Sequence, residues 1–187
     1  MQPNQRIMVE LKDATLTLGD RRLFENLSLM AQDGQLTCIT GAEGTGKTAV
    51  IRVMLGFQPL DEGLVSVDGE LLTPLSAPTF RKLMAYIPQQ REVKLNPMIP
   101  DTKGMETVWS LWGYAHYQLT PINEHLDVPP IASKPIIIAD DPSPALLSTL
   151  KSLANGGHTV VIATQREEFI NLSDKIITLG NNDTVLS

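Results

Sequence analysis

A glycine-rich stretch constrains the fold of this chain more than any other part of its sequence: Gly41-Ala42-Glu43-Gly44-Thr45-Gly46-Lys47-Thr48. The stretch fits the phosphate-binding P-loop pattern G-x-x-x-x-G-K-[ST], which requires a strand before it and a helix after it. The apolar run at 35–40 and the helix-forming run at 49–55 meet both requirements. We therefore predict a strand, a phosphate-binding loop and a helix in succession over residues 35–56.

The residue types of the P-loop explain how such a loop holds a triphosphate. Glycines let the backbone curve so that successive N–H groups, from Gly41 to Ala49, point at the phosphates, and the helix N-terminus adds its positive end. Lys47 is expected to reach the β- and γ-phosphates, and the Thr48 hydroxyl to bind Mg²⁺. Glu43 is unusual in this setting, because its carboxylate repels a polyphosphate unless it points outward.

The composition is that of an ordinary globular domain and argues against several classes of protein. The chain has 187 residues, 42% of them hydrophobic, with a net charge of −6 and no basic run, so we expect no nucleic-acid partner. No apolar stretch approaches the roughly 20 residues that cross a bilayer, and the N-terminus lacks an apolar signal segment, so we expect no direct membrane insertion. The single cysteine, Cys38, lies in a predicted strand, which excludes an internal disulfide and favours a cytoplasmic location.

Short apolar runs alternate with turn signals and helical segments along most of the chain. This alternation predicts an α/β fold with a mostly parallel core sheet and an antiparallel piece built from the N-terminal strands. The predicted strands lie at 7–18, 22–32, 35–40, 64–67, 70–72, 83–87, 136–139, 159–163 and 175–179, with helices after the P-loop, at 144–154 and between the last two strands.

The segment at 92–133 interrupts this pattern with prolines and with both tryptophans. We predict a single domain over residues 1–187 that contains this divergent segment. Within it, apolar and aromatic residues at spacings of three and four predict an amphipathic helix, with Met105, Val108, Trp109, Trp112, His116 and Leu119 on one face. Two interpretations stay open: the helix covers its own sheet, or its face docks a partner protein.

A β-branched run at 136–139 ends in two carboxylates, Asp140 and Asp141. A P-loop enzyme needs a buried parallel strand of this kind, with an acid at its C-terminal end to hold the Mg²⁺ shell. Asp140 is the candidate for the metal, and Asp141 for orienting the attacking water. The alternative is that both acids only favour the N-terminus of the helix that follows.

The order of these motifs resembles the nucleotide-binding domain of the ABC (ATP-binding cassette) ATPases. The resemblance rests on residues 23–29 before the P-loop, the Walker A loop 41–48, the strand–turn–strand piece 61–69, Tyr86-Ile87-Pro88-Gln89 as a Q-loop, and 136–143 as Walker B. It covers residues 7–91 and 134–180. It implies ATP and Mg²⁺ as cofactors, and it implies that Gln89 contacts Mg²⁺ and the attacking water.

Several positions depart from the pattern of this family. The signature sequence LSGGQ is absent, and the roughly forty residues between Q-loop and Walker B are too few for the usual helical subdomain. Asp141 stands at the catalytic glutamate position and Gln165 at that of the switch histidine. Leu147 replaces the D-loop aspartate, and Leu18 the aromatic residue that stacks on adenine. These changes predict that nucleotide binding is retained and hydrolysis is weakened.

The leading hypothesis is an ATP-binding subunit or regulator of a larger, transport-related complex, with weak or absent hydrolysis. The resemblance implies a protein partner, either a full ABC cassette or a membrane permease subunit, which would place the chain peripherally at the inner face of the cell membrane. One alternative is an active ATPase subunit whose site a partner cassette completes. The others are a nucleotide-independent scaffold and a small P-loop kinase, for which the segment after Gln90 offers few cations.

Overall fold

The N-terminal half of the chain builds an antiparallel sheet. A computed structural model describes residues 6–89, 131–180 and 184–186. Within these ranges the sheet has the strand order β2-β1-β4-β5, where the strands are β1 (Ile7–Leu18), β2 (Arg21–Gln32), β4 (Glu62–Val67) and β5 (Glu70–Leu71). Side chains alternate between its two faces: Leu27 and Leu29 are buried, whereas Ser28 and Met30 between and beside them are exposed. One face of this sheet therefore belongs to the core.

The P-loop strand lies inside a second sheet, with the order β10-β9-β3-β8-β7-β6. All neighbouring pairs are parallel except β10 with β9, which confirms the predicted mostly parallel core and antiparallel N-terminal piece. The strands are β3 (Leu36–Gly41), β6 (Met84–Ile87), β7 (Ile136–Asp140), β8 (Thr159–Ala163), β9 (Lys175–Leu179) and β10 (Thr184–Leu186). The carboxyl ends of β3, β8 and β7 therefore meet at one edge.

Four helices accompany the sheets in the described ranges: α1 (Lys47–Met54), α2 (Ala77–Phe80), α3 (Leu147–Asn155) and α4 (Glu167–Leu172). The helix predicted at 144–154 begins as a 3₁₀ turn, Pro144–Leu146, and becomes α-helical only at Leu147. The sequence pattern did not predict α2 or β10, because four and three residues are too short to show a hydrophobic period.

The parallel sheet is buried on both faces, as the apolar runs of its strands require. On one face Ile39 packs with Val50 and Ile51 of α1 and with the antiparallel sheet. On the other face Cys38 packs with Leu150 of α3 and Phe169 of α4. Burial raises the pKa of the Cys38 thiol to about 11, so this cysteine is a protonated core residue.

Asp174 connects the start of the P-loop strand to the helix α3. Its carboxylate accepts a hydrogen bond from the Leu36 N–H at 2.8 Å and forms an ion pair with Lys151 of α3 at 2.6 Å. Since Leu36 opens β3, these contacts connect the entry of the P-loop strand to α3 and to the residue just before β9.

The segment at 92–133 lies outside the described residues apart from its last three positions, and so does the amphipathic helix predicted at 105–119. The expectation of a single domain with a divergent insert stays a prediction. In the part of the chain that the structure describes, no helix is long and apolar enough to cross a membrane.

Gly63 offers a test of how the antiparallel sheet is packed. A Cβ atom there would lie 2.4 Å from the Asp13 carbonyl oxygen and 2.5 Å from that of Lys12, and its φ is +86°. We expect Gly63→Ala to lower the free energy of unfolding by about 2–4 kcal/mol, because a steric clash adds to the cost of a left-handed residue. Urea unfolding measures the change.

Gly69 is the matched control for this substitution. It has a similar φ of +80°, but nothing lies within 4 Å of its Cβ position. Gly69→Ala should therefore lower the free energy of unfolding by only about 1 kcal/mol, which is the cost of the left-handed backbone conformation alone. Equal losses in the two variants would contradict close packing of β4 against β1.

Candidate functional site

The P-loop has the curved backbone that its glycines predict. Gly41, Gly44 and Gly46 have φ values of 142°, 78° and 99°, and the Thr45 side chain donates a hydrogen bond to the Ala42 carbonyl at 2.9 Å. A Cβ atom on Gly41 would lie 2.6 Å from the Leu179 carbonyl oxygen. The loop thus requires glycine at Gly41 for space, and at the other two positions for backbone conformation.

Lys47, the first residue of α1, lies against the backbone of this loop. Its Nζ donates hydrogen bonds to the carbonyls of Gly41 at 2.8 Å and Ala42 at 2.9 Å. Burial lowers the pKa of the Lys47 ammonium, although the nearby charges of Asp140, Asp141 and Glu43 favour its charged form. A cation is therefore held within reach of the loop and close to several carboxylates.

Thr48 and Asp140 come together from different elements. The Thr48 side chain, in the first turn of α1, lies close enough to the Asp140 carboxylate at the end of β7 to lower its pKa. Asp140 is only 4% exposed, and this burial raises its pKa, as does the charge of Asp141, while Thr48, Arg52 and Lys47 act in the opposite direction. A hydroxyl and a carboxylate oxygen, both hard ligands suited to Mg²⁺, are thus adjacent.

Asp141 is fastened to the turn that follows β8. Its N–H donates to the Ala163 carbonyl at 2.7 Å, and its φ of 43° is in the left-handed region. Its Oδ1 accepts a hydrogen bond from the Thr164 hydroxyl at 2.8 Å, and Arg166 Nε lies 3.4 Å from the same oxygen. The Oδ1 atom of this carboxylate is therefore engaged within the chain. Oδ2 is the remaining carboxylate oxygen.

Gln165 connects the same turn to the P-loop. Its Nε2 donates a hydrogen bond to the Gly41 carbonyl at 2.8 Å, although the residue is otherwise exposed. The Gly41 carbonyl thus accepts from both Gln165 and Lys47. The residue at the predicted switch position therefore contacts the P-loop backbone, and its role towards a phosphate stays a prediction.

Gln89 lies exposed, two residues beyond the end of β6. Since Ile87 of β6 is opposite Ala139 of β7, Gln89 follows its strand at the same edge of the sheet as Asp140. Within the described ranges, no hydrogen bond joins Gln89 to Thr48 or Asp140. Its predicted contact with Mg²⁺ and water stays a prediction.

The remaining predicted positions differ in their surroundings. Ala42, Glu43 and Gly44 form the exposed part of the loop, so the Glu43 carboxylate has access to solvent. Ala49 packs its side chain on the core. Its predicted role in binding would therefore rest on its backbone N–H, and it stays a prediction. Leu147, half-buried, also packs against the core of its own chain.

Three residues near the loop were not predicted from the sequence. Thr164 and Arg166 hold Asp141, and the guanidinium of Arg21 lies beside Gly44. Thr164 and Arg166 flank Gln165, which is the only sequence signal that pointed towards them. Arg21 directly follows a turn and carries no signal of its own.

Comparison with known proteins finds a matching family and similar ATP-binding proteins. The family described as ABC transporter matches residues 24–143, well over half of the chain. The cytochrome c biogenesis ATP-binding export protein CcmA of Hahella chejuensis is 26% identical over 94% of this chain and 97% of its own length. The spermidine/putrescine import ATP-binding protein PotA of Haemophilus ducreyi is 37% identical over 39% of this chain. The matched region is only 20% of that PotA protein's length.

Solved structures of similar fold belong to the same group. A nucleotide-free ATP-binding cassette from an ABC transporter superposes with a TM-score of 0.66 at 16% identity, covering 97% of this chain and 90% of that chain. A dimeric ATP-binding cassette in a post-hydrolysis state, bound to ADP and Pi, gives 0.64 at 20% identity, covering 94% and 95%. These likenesses establish the fold. The chain therefore belongs to the ABC transporter family and has the fold of its ATP-binding domain.

Proposed function

We propose that this chain binds Mg-ATP on its P-loop and serves as the nucleotide-binding subunit or regulator of a transport complex, with slow hydrolysis of its own. The observation that carries the proposal is the convergence of Lys47, Thr48 and Asp140 beside a glycine loop. An ammonium, a hydroxyl and a buried carboxylate are the groups that a metal-bound triphosphate requires.

The phosphates would be held by the loop backbone and by Lys47. A Cβ atom on Gly41 would come too close to the Leu179 carbonyl, and Gly46 has a left-handed φ of 99°, so the cradle depends on these glycines. Lys47 would exchange its carbonyl contacts for phosphate oxygens, which are stronger partners for an ammonium. The backbone N–H groups at the start of α1, to Ala49, would add the positive end of the helix.

The metal would be held by Thr48 and Asp140, with Gln89 completing its surroundings from the neighbouring strand. When bound, Mg²⁺ neutralises charge on the phosphate oxygens. Asp140 fits this role because burial disfavours its charge until a cation is beside it. The donor set of a hydroxyl, a carboxylate and an amide oxygen is typical for this ion.

Slow hydrolysis follows from the state of Asp141 and from the substitution at Gln165. Asp141 is the group that would accept a proton from water. Its side chain is shorter than that of glutamate, and Thr164 and Arg166 already engage its Oδ1. A general base has to reach its proton within about 2.6–3.2 Å. Gln165 can donate a hydrogen bond to a phosphate but carries no charge.

A partner protein would complete the assembly. The signature sequence of the family is absent from this chain, so two copies cannot supply it to one another. The second candidate function, an active ATPase completed by a full partner cassette, uses the same P-loop with a signature from the other chain. A membrane permease subunit would then place the chain at the inner face of the membrane.

Nucleotide binding is tested by thermal unfolding. Millimolar Mg-ATP should raise the melting temperature of the purified protein, because a ligand held only by the native state stabilises it. Lys47→Ala should remove the shift while leaving the nucleotide-free melting temperature within a few degrees. GTP should act nearly as well as ATP, because Leu18, 59% exposed, offers no aromatic face to adenine. Absence of any shift or heat of binding in the unmutated protein would refute the proposal.

The metal role of Asp140 is tested by Asp140→Asn. Burial raises the folded-state pKa of Asp140, so its ionisation costs stability at neutral pH, and this cost disappears as the pH falls below the unfolded pKa, near 4. We therefore expect the variant to be more stable than the unmutated, nucleotide-free protein by about 0.5–2 kcal/mol at pH 7, and the difference to shrink towards pH 4.

The same variant should lose the Mg²⁺ dependence of ATP binding, measured by titration with and without the metal. A variant that is less stable at pH 7, yet keeps its Mg²⁺ dependence, would show that Asp140 is a structural residue rather than a metal ligand.

Turnover is tested at Asp141. With excess Mg-ATP, phosphate release by the isolated chain should fall far below the ~1–10³ s⁻¹ of ordinary enzymes. Asp141→Glu should raise the rate, because the longer side chain carries the carboxylate beyond Thr164, whereas Asp141→Asn should abolish what remains. An unmutated rate of several per second that Asp140→Asn removes would instead establish a fully competent site.

A further inference from the structure

The turn between β1 and β2 places a guanidinium group against the P-loop. Arg21 is the first residue of β2, and its Nη1, Nη2 and Cζ atoms lie 3.4, 3.6 and 3.9 Å from the position of a Cβ atom on Gly44. Gly44 belongs to the exposed part of the loop, and Arg21 is exposed as well. A cation from the antiparallel sheet thus reaches the phosphate loop of the other sheet.

The neighbouring arginine shows what an ordinary surface contact looks like here. Arg22 forms an ion pair with Glu25 at 2.6 Å, with both side chains more than half exposed. Arg21, in contrast, forms no ion pair with any carboxylate in the described part of the chain. Its charge is balanced by no acidic partner there, and it lies beside the loop that carries the phosphate-binding pattern.

The carboxylates near the loop favour a second cation beside Lys47. The carboxylates of Asp140, Asp141 and Glu43 act electrostatically on the Lys47 ammonium and favour its charged form. Of the nearby arginines, Arg166 lies beside Asp141, and Arg52 acts on Asp140. A triphosphate would bring further negative charge to this cluster, and its attraction to a cation strengthens as the distance falls.

We propose that Arg21 is a phosphate-binding residue of this P-loop and contacts the triphosphate of a bound nucleotide. The inference rests on the proposed binding of nucleotide. The planar guanidinium donates two parallel hydrogen bonds, which matches phosphate oxygens better than a single ammonium does. The contact is to phosphate rather than to base because the group lies against Gly44, inside the phosphate loop.

Calorimetric titration of three ligands, Mg-ATP, Mg-GTP and inorganic tripolyphosphate with Mg²⁺, tests the assignment. Arg21→Gln should weaken all three by a similar factor, about tenfold, since a hydrogen bond to a charged group contributes at least that much. Arg21→Lys should recover part of the lost affinity, because it restores the positive charge without the two parallel hydrogen bonds of a guanidinium. Arg22→Gln, which removes the same charge one residue away, should change each affinity less than twofold.

The outcomes separate this inference from the proposed function. If Arg21→Gln binds like Arg22→Gln while Lys47→Ala loses binding, the nucleotide site stands and the role of Arg21 is refuted. If Arg21→Gln weakens ATP but leaves tripolyphosphate unchanged, the residue contacts the base and the phosphate assignment is wrong. If the unmutated chain binds none of the three ligands, both proposals fail. Equal melting temperatures of the nucleotide-free variants establish that each of them is folded.

Discussion

The parallel pairing of three strands determines where most of the candidate site residues lie. Ala163 of β8 is opposite Ile39 of β3 on one side and opposite Asp140 of β7 on the other. β7 and β8 therefore end at one level and β3 ends two residues further on, so the P-loop, Asp141 and the turn 164–166 all follow at that edge. A slip of one residue in this register would turn Asp140 to the other face of the sheet, so the backbone ladder specifies the site.

The same arrangement creates a conflict between stability and chemistry. Every residue of β7 is buried, including the carboxylate at its end. A parallel strand between two layers suits apolar residues. An acid in such a strand loses its hydration, and the Thr48 hydroxyl compensates only partly for this loss. Such a local conflict is what the proposed metal site would produce, because the group that destabilises the fold would be the one that the ligand needs.

The parts of the site that the sequence predicted are those carried by local pattern. The P-loop, the two carboxylates after β7 and the strands around them are each encoded within a few consecutive residues. Thr164, Arg166 and Arg21 were not predicted because each acts across the fold, on a residue far away in the chain. No spacing rule links Arg21 to Gly44; only the pairing of β1 with β2 and the packing of the sheets brings them together.

The position of Cys38 gives the chain a built-in reporter. It is the only cysteine of the sequence, it is fully buried in the middle of the P-loop strand, and it lies between β8 and β9. A thiol reagent can reach it only after the layer of α3 and α4 that covers this face of the sheet opens locally, and only the thiolate reacts. The rate of its labelling therefore measures how often the packing around the P-loop strand opens, without any engineered probe, and a ligand that stabilises this part of the fold should slow the reaction.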